Sequence, residues 1–306
     1  MKTIKYPLLL DGGLSNQLES QGCNLNQSLW TAAMIKSNPE AIIEAHLAYL
    51  EAGADCIITS SYQATISGFA KLGIDSKEAE SLILKSVELA IRAKNIFLER
   101  NPDKAPALVA ASIGPYGAYL ADGSEYRGNY GISDKDLKDF HSSRIELLDT
   151  SEADMLACET IPSYQEARLL AELLLNCNKK SWMTFSCKDG IHINDGTPIV
   201  ECMQLLNRHP AIFALGVNCT KPSYISSLMK IIKATCGGKK IVVYPNSGEI
   251  YNANTKTWAY SSESSFSVQS VREWLELGAD IVGGCCRVGP AQIHEVKLNV
   301  LNIMNT

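Results

Sequence analysis

The sequence lacks an apolar run long enough to cross a bilayer, so we expect no transmembrane segment. The apolar run nearest the N-terminus, Leu8-Leu9-Leu10, lies between Pro7 and Asp11 and is too short for the hydrophobic part of a signal peptide. The composition, 46% hydrophobic and 20% charged, is that of a globular protein. Together these features predict a cytoplasmic protein that does not act at a membrane.

The chain also lacks a block of basic residues. It carries 28 Lys and Arg against 33 Asp and Glu, which gives a net charge of −5. Proteins that bind nucleic acid or an anionic membrane surface through their charge present clustered Lys and Arg. We therefore expect small-molecule partners rather than nucleic acid or lipid. The sequence does not fix the oligomeric state, and we favour a monomer.

Cysteine is present without the patterns that usually organise it. The ten cysteines show neither a Cys-x-x-Cys pair nor the even spacing of a disulfide framework, which indicates reduced thiols. The histidines also lack the paired spacing of a metal site, and we expect each of them at the surface or on a helix. They are His46, His141, His192, His209 and His294.

Eight short apolar runs alternate with longer helical stretches along the whole chain, and each run is apolar on both faces, as buried parallel strands are. The runs are Leu8-Leu9-Leu10, residues 56–59, 108–111, 155–158, 182–185, 212–217, 241–244 and Ile281-Val282. Eight βα units in 306 residues, with no linker between them, predict a single (β/α)8 barrel domain spanning residues 1–306. A doubly wound sheet is the alternative, but no Gly-x-Gly-x-x-Gly turn follows the first run.

Helix starts can also be read from the sequence. Asn38-Pro39 places a capping residue before proline at the first helical position, and Gly53 is expected to close that helix. Ser163 and Glu166 have the spacing of a capping box. Ser133 and Gly289-Pro290 are predicted to begin two further helices.

Two neighbouring cysteines, Cys285 and Cys286, follow the eighth run directly after Gly283 and Gly284. Successive side chains of a strand point to opposite faces, but glycine lets the backbone turn so that both sulfurs point to one place. Cys219 ends the sixth run and would lie on the same rim, because the carboxyl ends of barrel strands meet at one face. Three cysteine ligands and one open position characterise a catalytic zinc site.

Other interpretations of the cysteine pair remain open on spacing alone. The two residues could be ordinary buried small side chains or a strained disulfide. Cys187, near the end of the fifth run, is a reserve ligand. A zinc ion held by three thiolates would be suited to deprotonating a substrate thiol, which is a few per cent ionised at neutral pH when free.

These motifs resemble the zinc-dependent homocysteine S-methyltransferases along essentially the full chain. The resemblance rests on Asp11-Gly12-Gly13, on residues 216–219 (Gly-Val-Asn-Cys) and on residues 283–286 (Gly-Gly-Cys-Cys). Three further segments resemble the branch of the family that uses S-methylmethionine, namely residues 60–65, 114–128 and 244–249. The resemblance implies a (β/α)8 barrel, a Zn2+ cofactor, and methyl transfer from S-methylmethionine, or less well from S-adenosylmethionine, to homocysteine.

The resemblance also assigns roles to residues at matching positions. Cys219, Cys285 and Cys286 are expected to bind zinc. Asp11 and Glu159 are expected to hold the homocysteine ammonium group, with the backbone of Gly12 and the side chain of Ser61 at its carboxylate. Ser61 stands where relatives of other branches carry threonine.

The methyl donor must carry a positive charge, because an uncharged thioether would have to expel a thiolate, which is a poor leaving group. Aromatic faces attract such a cation, and a nearby carboxylate can pair with the ammonium group of an amino-acid donor. Candidates for donor binding are Trp30, Tyr116, Glu125, Tyr126 and Asn246, with Tyr119, Arg127 and Tyr130 in reserve.

Two other functions are compatible with the residues. The barrel could be a lyase or isomerase of phosphorylated substrates, with Gly283, Gly284 and Arg287 holding the phosphate at the usual rim position. It could also bind zinc without catalysing a reaction. Metal content tests the first alternative, and methionine formation from homocysteine tests the second.

Overall fold

All eight predicted apolar runs form strands of one parallel sheet. The computed structural model describes residues 4–25, 29–252, 257–259 and 265–301. Its strands are β1 (Leu8–Leu9), β2 (Cys56–Ile58), β3 (Leu108–Ile113), β4 (Met155–Ile161), β5 (Ser181–Phe185), β6 (Ile212–Asn218), β7 (Lys240–Tyr244), β8 (Ile250–Asn252), β9 (Thr257–Ala259) and β10 (Ile281–Val282). Eight of them pair in the order β1-β10-β7-β6-β5-β4-β3-β2, whereas β8 and β9 form a separate antiparallel pair.

The two ends of this sheet meet. Leu10 forms a parallel bridge with Cys56, the Asp11 amide donates to the Cys56 carbonyl at 3.1 Å, and the Asp55 amide donates to the Leu9 carbonyl at 2.7 Å. These bonds join β1 to β2 and close the ring. The predicted (β/α)8 barrel is therefore confirmed, and the open-sheet alternative is wrong.

Helices connect the strands on the outside of the ring. They are α1 (Leu14–Ser20), α2 (Trp30–Ser37), α3 (Pro39–Glu51), α4 (Ile66–Ala70), α5 (Ser76–Arg100), α6 (Tyr116–Leu120), α7 (Asp134–Thr150), α8 (Tyr164–Leu174), α9 (Ile199–Leu206), α10 (Pro222–Thr235), α11 (Val268–Glu276) and α12 (Pro290–Val296). A 3-10 helix, Ser124–Tyr126, follows α6, and a π-helix, Lys297–Leu301, follows α12. None of the helices in the described part of the chain is both long and apolar enough to span a membrane.

The predicted helix starts are confirmed where capping residues stand. Asn38 accepts a hydrogen bond from the Ala41 amide ahead of Pro39. Ser133 and Ser163 cap α7 and α8 in the same way, accepting from amides three residues later. Because an uncapped helix start leaves backbone N–H groups unpaired, each such serine or asparagine fixes where its helix begins.

Side chains alternate along each strand between the barrel interior and the helical layer. On β1, for example, Leu8 packs inside the barrel and Leu9 packs against the helices. The interior set comes from every strand of the ring and includes Leu8, Leu10, Cys56, Ile58, Leu108, Ala110, Met155, Ala157, Trp182, Ala214, Val242, Tyr244 and Ile281. Towards the carboxyl ends the inward positions become polar, and this change places the candidate site at that end of the barrel.

Candidate active site

The floor of the site is a layer of buried polar side chains above the apolar interior. Its members are Ser112, Glu159, Thr184, Asn218 and Tyr244, and each stands two residues beyond an inward-facing apolar side chain or glycine. The Tyr244 hydroxyl donates to Glu159 Oε2 at 3.1 Å, and the Ser112 hydroxyl donates to Glu159 Oε1. Both oxygens of Glu159 are therefore held before any substrate arrives.

Cys219 lies directly after β6 and has a positive φ of 47°. A non-glycine residue in this left-handed region is uncommon and costs energy, so such residues cluster at functional sites. Its amide donates to the Tyr244 carbonyl at 3.2 Å, which holds the strained turn in place. The side chain of Cys219 is buried at the carboxyl end of the barrel.

Cys285 and Cys286 follow β10 after a close-packed glycine pair. A Cβ on Gly283 would lie 2.6 Å from the Leu10 Cβ, and one on Gly284 would lie 2.2 Å from a Val288 methyl carbon. The Cys285 amide donates to the Pro245 carbonyl at 2.8 Å, so the chain turns immediately after the strand. Both cysteines are free thiols, which excludes the strained disulfide.

The three sulfurs converge as predicted. The sulfurs of Cys219, Cys285 and Cys286 all lie within 4.8 Å of one another, and those of Cys219 and Cys286 are 3.5 Å apart. Sulfurs bound to one tetrahedral Zn2+ are about 3.8 Å apart, given Zn–S bonds of about 2.3 Å. The arrangement therefore fits zinc without large movement of the backbone.

The electrostatics of Cys219 also fit a cation, whereas the hydrogen bonds to Cys219 raise the pKa values of Cys285 and Cys286. Hydrogen bonds from Cys285 and Cys286, together with one from the Tyr126 hydroxyl, hold the pKa of Cys219 well below that of an ordinary thiol. Thiolates are the form that binds metal. Cys187, the reserve ligand, is not part of this group.

Asp11 extends from the end of β1 into the same end of the barrel. Its Oδ2 accepts from the Ile58 amide at 2.8 Å, whereas Oδ1 is buried and has no hydrogen-bond partner. Burial, and then the nearby charge of Glu159, raise the pKa of Asp11 well above the usual range. A buried carboxylate oxygen without a donor is costly, and a bound cation with N–H groups would remove that cost.

Glu159 lies close enough to Asp11 to raise its pKa, and Ser61 is linked to Glu159 through Ser112. Burial raises the pKa of Glu159 to about 7, against the hydrogen bonds from Ser112 and Tyr244, which lower it. The Ser61 hydroxyl donates to the Ser112 carbonyl at 2.8 Å and lies 2.7 Å from the Thr59 hydroxyl. Two carboxylates with raised pKa values in a dry cleft are typical of a site that receives a positively charged group.

Comparisons with known proteins agree with this geometry. The model of the homocysteine S-methyltransferase family matches residues 8–300. The chain belongs to this family. It is therefore an enzyme that transfers a methyl group to the thiol of homocysteine and forms methionine.

Two relatives illustrate how complete the match is. The chain is 49% identical to homocysteine S-methyltransferase YbgG of Bacillus subtilis over 296 residues, which cover 95% of this chain and 94% of that protein. It is 46% identical to the homocysteine S-methyltransferase of Escherichia coli over 292 residues, again covering 95% and 94%. A crystal structure of the E. coli homocysteine methyltransferase MmuM in a metallated form superposes with a TM-score of 0.86 at 43% identity, over 95% of both chains.

Three of the candidates for donor binding lie near Cys219, namely Glu125 and Tyr126 in the loop after β3 and Asn246 after β7. The Tyr126 hydroxyl is 3.3 Å from the sulfur of Cys219. The neighbouring Glu125 has a buried Oε2 without a partner, and burial raises its pKa to about 7. Asn246, whose amide donates to the Thr220 carbonyl next to Cys219, has a buried Oδ1 that also lacks a partner.

The structure does not bring every donor candidate to the cysteines. The ring of Tyr116 packs against Phe140 at 4.9 Å, and against Tyr119 and Tyr130 at 5.5 and 5.4 Å. Because Phe140 lies on α7, this aromatic cluster faces the helical layer rather than the sulfurs. Trp30 begins α2, and its side chain lies outside the described part of the structure.

Arg287 does not serve as the phosphate ligand of the alternative function. Its Nε donates to Glu249 at 2.7 Å, and one of its terminal nitrogens lies 3.7 Å from Glu19. Two carboxylates already neutralise the guanidinium. Its positive φ of 67° instead directs the chain from the cysteine pair towards α12.

Sequence reasoning missed several residues that build the site. Asn218 accepts from the Thr160 amide at 2.6 Å and donates to the Thr160 hydroxyl at 2.8 Å, and it reaches the sulfur of Cys285 at 3.9 Å. Ser112 and Tyr244 hold Glu159. Every second residue of a strand faces the barrel interior, and these inward positions change from apolar to polar towards the carboxyl end. That pattern is the sequence signal that could have identified these residues.

Proposed function

We propose that Cys219, Cys285 and Cys286 bind one Zn2+ ion and that homocysteine occupies the remaining coordination position. The observation that carries the proposal is the convergence of three free thiols from two strand ends, next to a strand end where Asp11 has a buried, unpartnered carboxylate oxygen and its carbonyl accepts from the Gly284 amide. When bound, a Zn2+ ion held by three thiolates would deprotonate the substrate thiol and leave the site with a net negative charge.

We propose that Asp11 and Glu159 bind the ammonium group of homocysteine. Asp11 Oδ1 has no partner, and Glu159 is oriented by Ser112 and Tyr244, so both present acceptors in fixed positions. A cation entering between them also removes the unfavourable interaction between the two carboxylates. The Gly12 amide and the Ser61 hydroxyl are assigned to the substrate carboxylate by the resemblance, and the Ser61 hydroxyl would turn from the Ser112 carbonyl to donate to it.

Gly12 has little room for a side chain. A Cβ there would lie 2.2 Å from the Val288 carbonyl oxygen and 2.9 Å from the Tyr49 ring. The Tyr49 hydroxyl in turn donates towards the carbonyls of Gly13 and Val288, at 2.9 and 3.0 Å. These contacts hold the Asp11-Gly12 turn in one position, which supports its assignment to substrate binding.

We propose S-methylmethionine as the donor, and this rests on charge together with the resemblance of residues 114–128. Glu125 supplies a buried carboxylate without a hydrogen-bond partner on one oxygen, and Asn246 supplies a second free acceptor. Both suit the ammonium group of an amino-acid donor, which betaine lacks. Tyr126 lies between this region and Cys219, where its ring would face the sulfonium.

The reaction is a displacement in line with the breaking bond. The homocysteine thiolate forms a bond to the methyl carbon, while the bond from that carbon to the sulfonium sulfur breaks and its electron pair returns to the donor sulfur. The donor thereby becomes neutral methionine, and homocysteine becomes a second methionine. The contribution of the protein is to hold both substrates in this geometry and to exclude water.

A comparison of three donors tests this proposal. Purified zinc-loaded protein is assayed with homocysteine and with S-methylmethionine, S-adenosylmethionine or betaine. We expect S-methylmethionine to be used best, S-adenosylmethionine more slowly, and betaine least. Betaine turnover equal to that of S-methylmethionine would overturn the donor assignment and leave the homocysteine site standing.

The proposed site needs no second subunit, because all of its residues come from one chain. We propose that the chain acts as a single domain and as a monomer. We also propose a cytoplasmic location, since the ten free thiols include the three proposed ligands, which must stay reduced. Size-exclusion chromatography with light scattering tests the oligomeric state.

A further inference from the structure

A second group of buried ionisable side chains lies behind the loop that follows β3. It consists of His141 and Arg144 on α7 and Glu166 on α8, none of them more than 1% exposed. His141 Nε2 lies 2.8 Å from Glu166 Oε1, and an Arg144 terminal nitrogen lies 2.9 Å from His141 Nδ1. We call these three residues the α7–α8 cluster.

The contacts of the cluster define its protonation. Arginine can only donate, so His141 Nδ1 accepts from Arg144 and the proton of the ring is on Nε2, which donates to Glu166. Burial lowers the pKa of His141, in agreement with a neutral ring. A neutral imidazole thus bridges a buried guanidinium and a buried carboxylate, and the charges of the cluster balance.

Three further hydrogen bonds of the cluster reach one segment, residues 114–130, which we call the strand-three loop. Glu166 accepts from the Tyr116 amide at 2.6 Å and from the Tyr130 hydroxyl at 2.8 Å. Arg144 donates to the Gly114 carbonyl at 2.7 Å. One carboxylate therefore binds the loop near both of its ends.

The middle of the same loop carries the donor-side groups. Glu125 and Tyr126 lie in the 3-10 helix, with the Tyr126 hydroxyl 3.3 Å from the sulfur of Cys219. Gly117 allows this helix to lie directly on α6, since a Cβ there would be 2.4 Å from the Glu125 amide nitrogen. The position of the loop ends therefore determines where Glu125 and Tyr126 stand.

The cluster also reaches the end of β2. Arg144 donates to the Tyr62 carbonyl at 3.3 Å, and a Cβ on Gly114 would lie 2.5 Å from that same carbonyl oxygen. The segment after β2 and the strand-three loop are thus held against each other by one guanidinium. Asp11, Glu159 and the cysteine pair have no hydrogen bond to the cluster among those the described residues form.

We infer that the α7–α8 cluster positions the strand-three loop for the methyl donor, and that it acts through Glu125 and Tyr126 rather than on homocysteine. The inference rests on the proposed function, because it assigns this loop to the donor. Buried charged groups often add little net stability compared with well-packed apolar side chains, so the role that we assign to the cluster is its specific geometry. Here the cluster bonds to backbone atoms of Gly114 and Tyr116 before the donor-binding segment and to the Tyr130 hydroxyl after it.

The first test is His141→Leu, which removes the bridge between Arg144 and Glu166. Donor kcat/KM is expected to fall on the order of 10- to 100-fold, since small displacements of positioning groups have effects of this size. Bound zinc should stay unchanged, and the KM for homocysteine should change far less than donor kcat/KM, because the cluster reaches the homocysteine side only through the Tyr62 carbonyl next to Ser61. His141→Gln, which keeps a donor and an acceptor, should restore part of the donor kcat/KM.

Two further variants separate positioning from stability. Leu148→Ala removes a fully buried apolar side chain from the same helix α7, so it should lower Tm without changing the ratio of donor KM to homocysteine KM. Tyr130→Phe removes a single hydrogen bond to Glu166 and should lower donor kcat/KM a few fold with little change in Tm. It serves as the test if His141→Leu does not fold.

A double-mutant cycle decides whether the cluster acts through the donor-side residues. In a Glu125→Gln background, His141→Leu should lower donor kcat/KM much less than it does alone, because residues that act as a unit are not additive. Full additivity, or equal effects on both substrates, would overturn the inference. Absence of methyl transfer from any donor by the wild-type protein would instead overturn the proposed function.

Discussion

Replacing Glu159 with glutamine removes the charge that the account places against the homocysteine ammonium group, with almost no change of shape. The side chain is 7% exposed, and its two oxygens accept from Ser112 and Tyr244. The amide can keep one of these bonds and donate to the other hydroxyl. The substitution therefore tests the carboxylate as a partner for the substrate and leaves the floor of the site in place.

The magnitude follows from the type of hydrogen bond that is lost. A hydrogen bond to a charged group is worth about 1.5–3 kcal/mol. Since about 1.4 kcal/mol corresponds to a tenfold change in an equilibrium constant, the homocysteine KM should rise about 10- to 150-fold. The donor KM and the zinc content should be unchanged, because Glu159 makes no contact with the three cysteines among the described hydrogen bonds.

The pH dependence gives this prediction a second signature. The pKa of Glu159 in the free protein is about 7, so the carboxylate is mostly protonated below that pH and ionised above it. The ratio of wild-type to Glu159→Gln kcat/KM for homocysteine should therefore rise with pH through about 7, because this parameter reports the free enzyme. Taking the ratio cancels titrations that both proteins share, including that of the substrate thiol.

The assay measures methionine formation at varied homocysteine and saturating donor, from about pH 5.5 to 8.5 in overlapping buffers. Asp11→Asn serves as the partner variant and should raise the homocysteine KM in the same way. An unchanged homocysteine KM in Glu159→Gln at the upper end of this range would refute the reasoning. A ratio that does not change with pH would show that ionisation of Glu159 is not what binds the substrate.

Three other predictions concern metal, stability and backbone. Cys219→Ser and Cys286→Ser should each lose activity and, by metal analysis, zinc. Cys187→Ser changes a buried cysteine outside the group and should keep both. Full zinc content in either ligand variant would contradict the assignment. Without homocysteine, the Tm of Glu159→Gln should rise relative to that of wild type as pH rises from about 4.5 through 7. The pKa of Glu159 is raised in the folded protein, so ionisation of the buried carboxyl destabilises folded wild type over that pH range. A Tm difference that does not change with pH would contradict this. Gly216→Ala should fail to fold or lose several degrees of Tm, since the added Cβ would lie 1.7 Å from the Val242 carbonyl oxygen of β7. A variant with the Tm of wild type would contradict this and show that the strand can shift.

The strands of the barrel could be predicted because each is an uninterrupted apolar run. A parallel strand covered on both faces leaves no polar position to obscure the pattern, as Ile241-Val242-Val243 shows. The helix starts were equally readable at Asn38, Ser133 and Ser163, where local capping alone decides the boundary. The antiparallel pair β8 and β9 was not predicted, because two runs of three residues carry too little pattern.

The convergence of the cysteines could be predicted from topology. Strand ends of a barrel share one face, so Cys219 and the Cys285-Cys286 pair had to approach each other once the strand count was right. The strain at Cys219 and Arg287, both with positive φ, could not be read from the sequence, because neither residue is a glycine.

The role of Glu166 was missed for a physical reason. Its spacing from Ser163 is that of a capping box, and the serine does accept from the Glu166 amide at 3.4 Å. The carboxylate, however, turns to His141, the Tyr116 amide and Tyr130. A capping pattern is local, whereas these partners lie 25 to 50 residues away and become neighbours only in the folded barrel.

The assignment of Tyr116 as an aromatic face for the donor illustrates the same limit. Sequence places it at the end of β3, where side chains reach the site, but the helix α6 begins at this residue and directs its ring towards Phe140. Tyr126, ten residues later by sequence numbering, reaches Cys219 instead. Loop geometry, rather than composition, decided which tyrosine approaches the sulfurs.

The product stoichiometry tests the central claim most directly. Zinc-loaded protein is given limiting homocysteine and excess S-methylmethionine, and methionine formed is compared with homocysteine consumed. We expect two methionines for each homocysteine, because the methylated thiol and the demethylated donor are the same compound, and none with Cys219→Ser. Consumption of homocysteine without methionine, or a yield of one methionine per homocysteine, would contradict it.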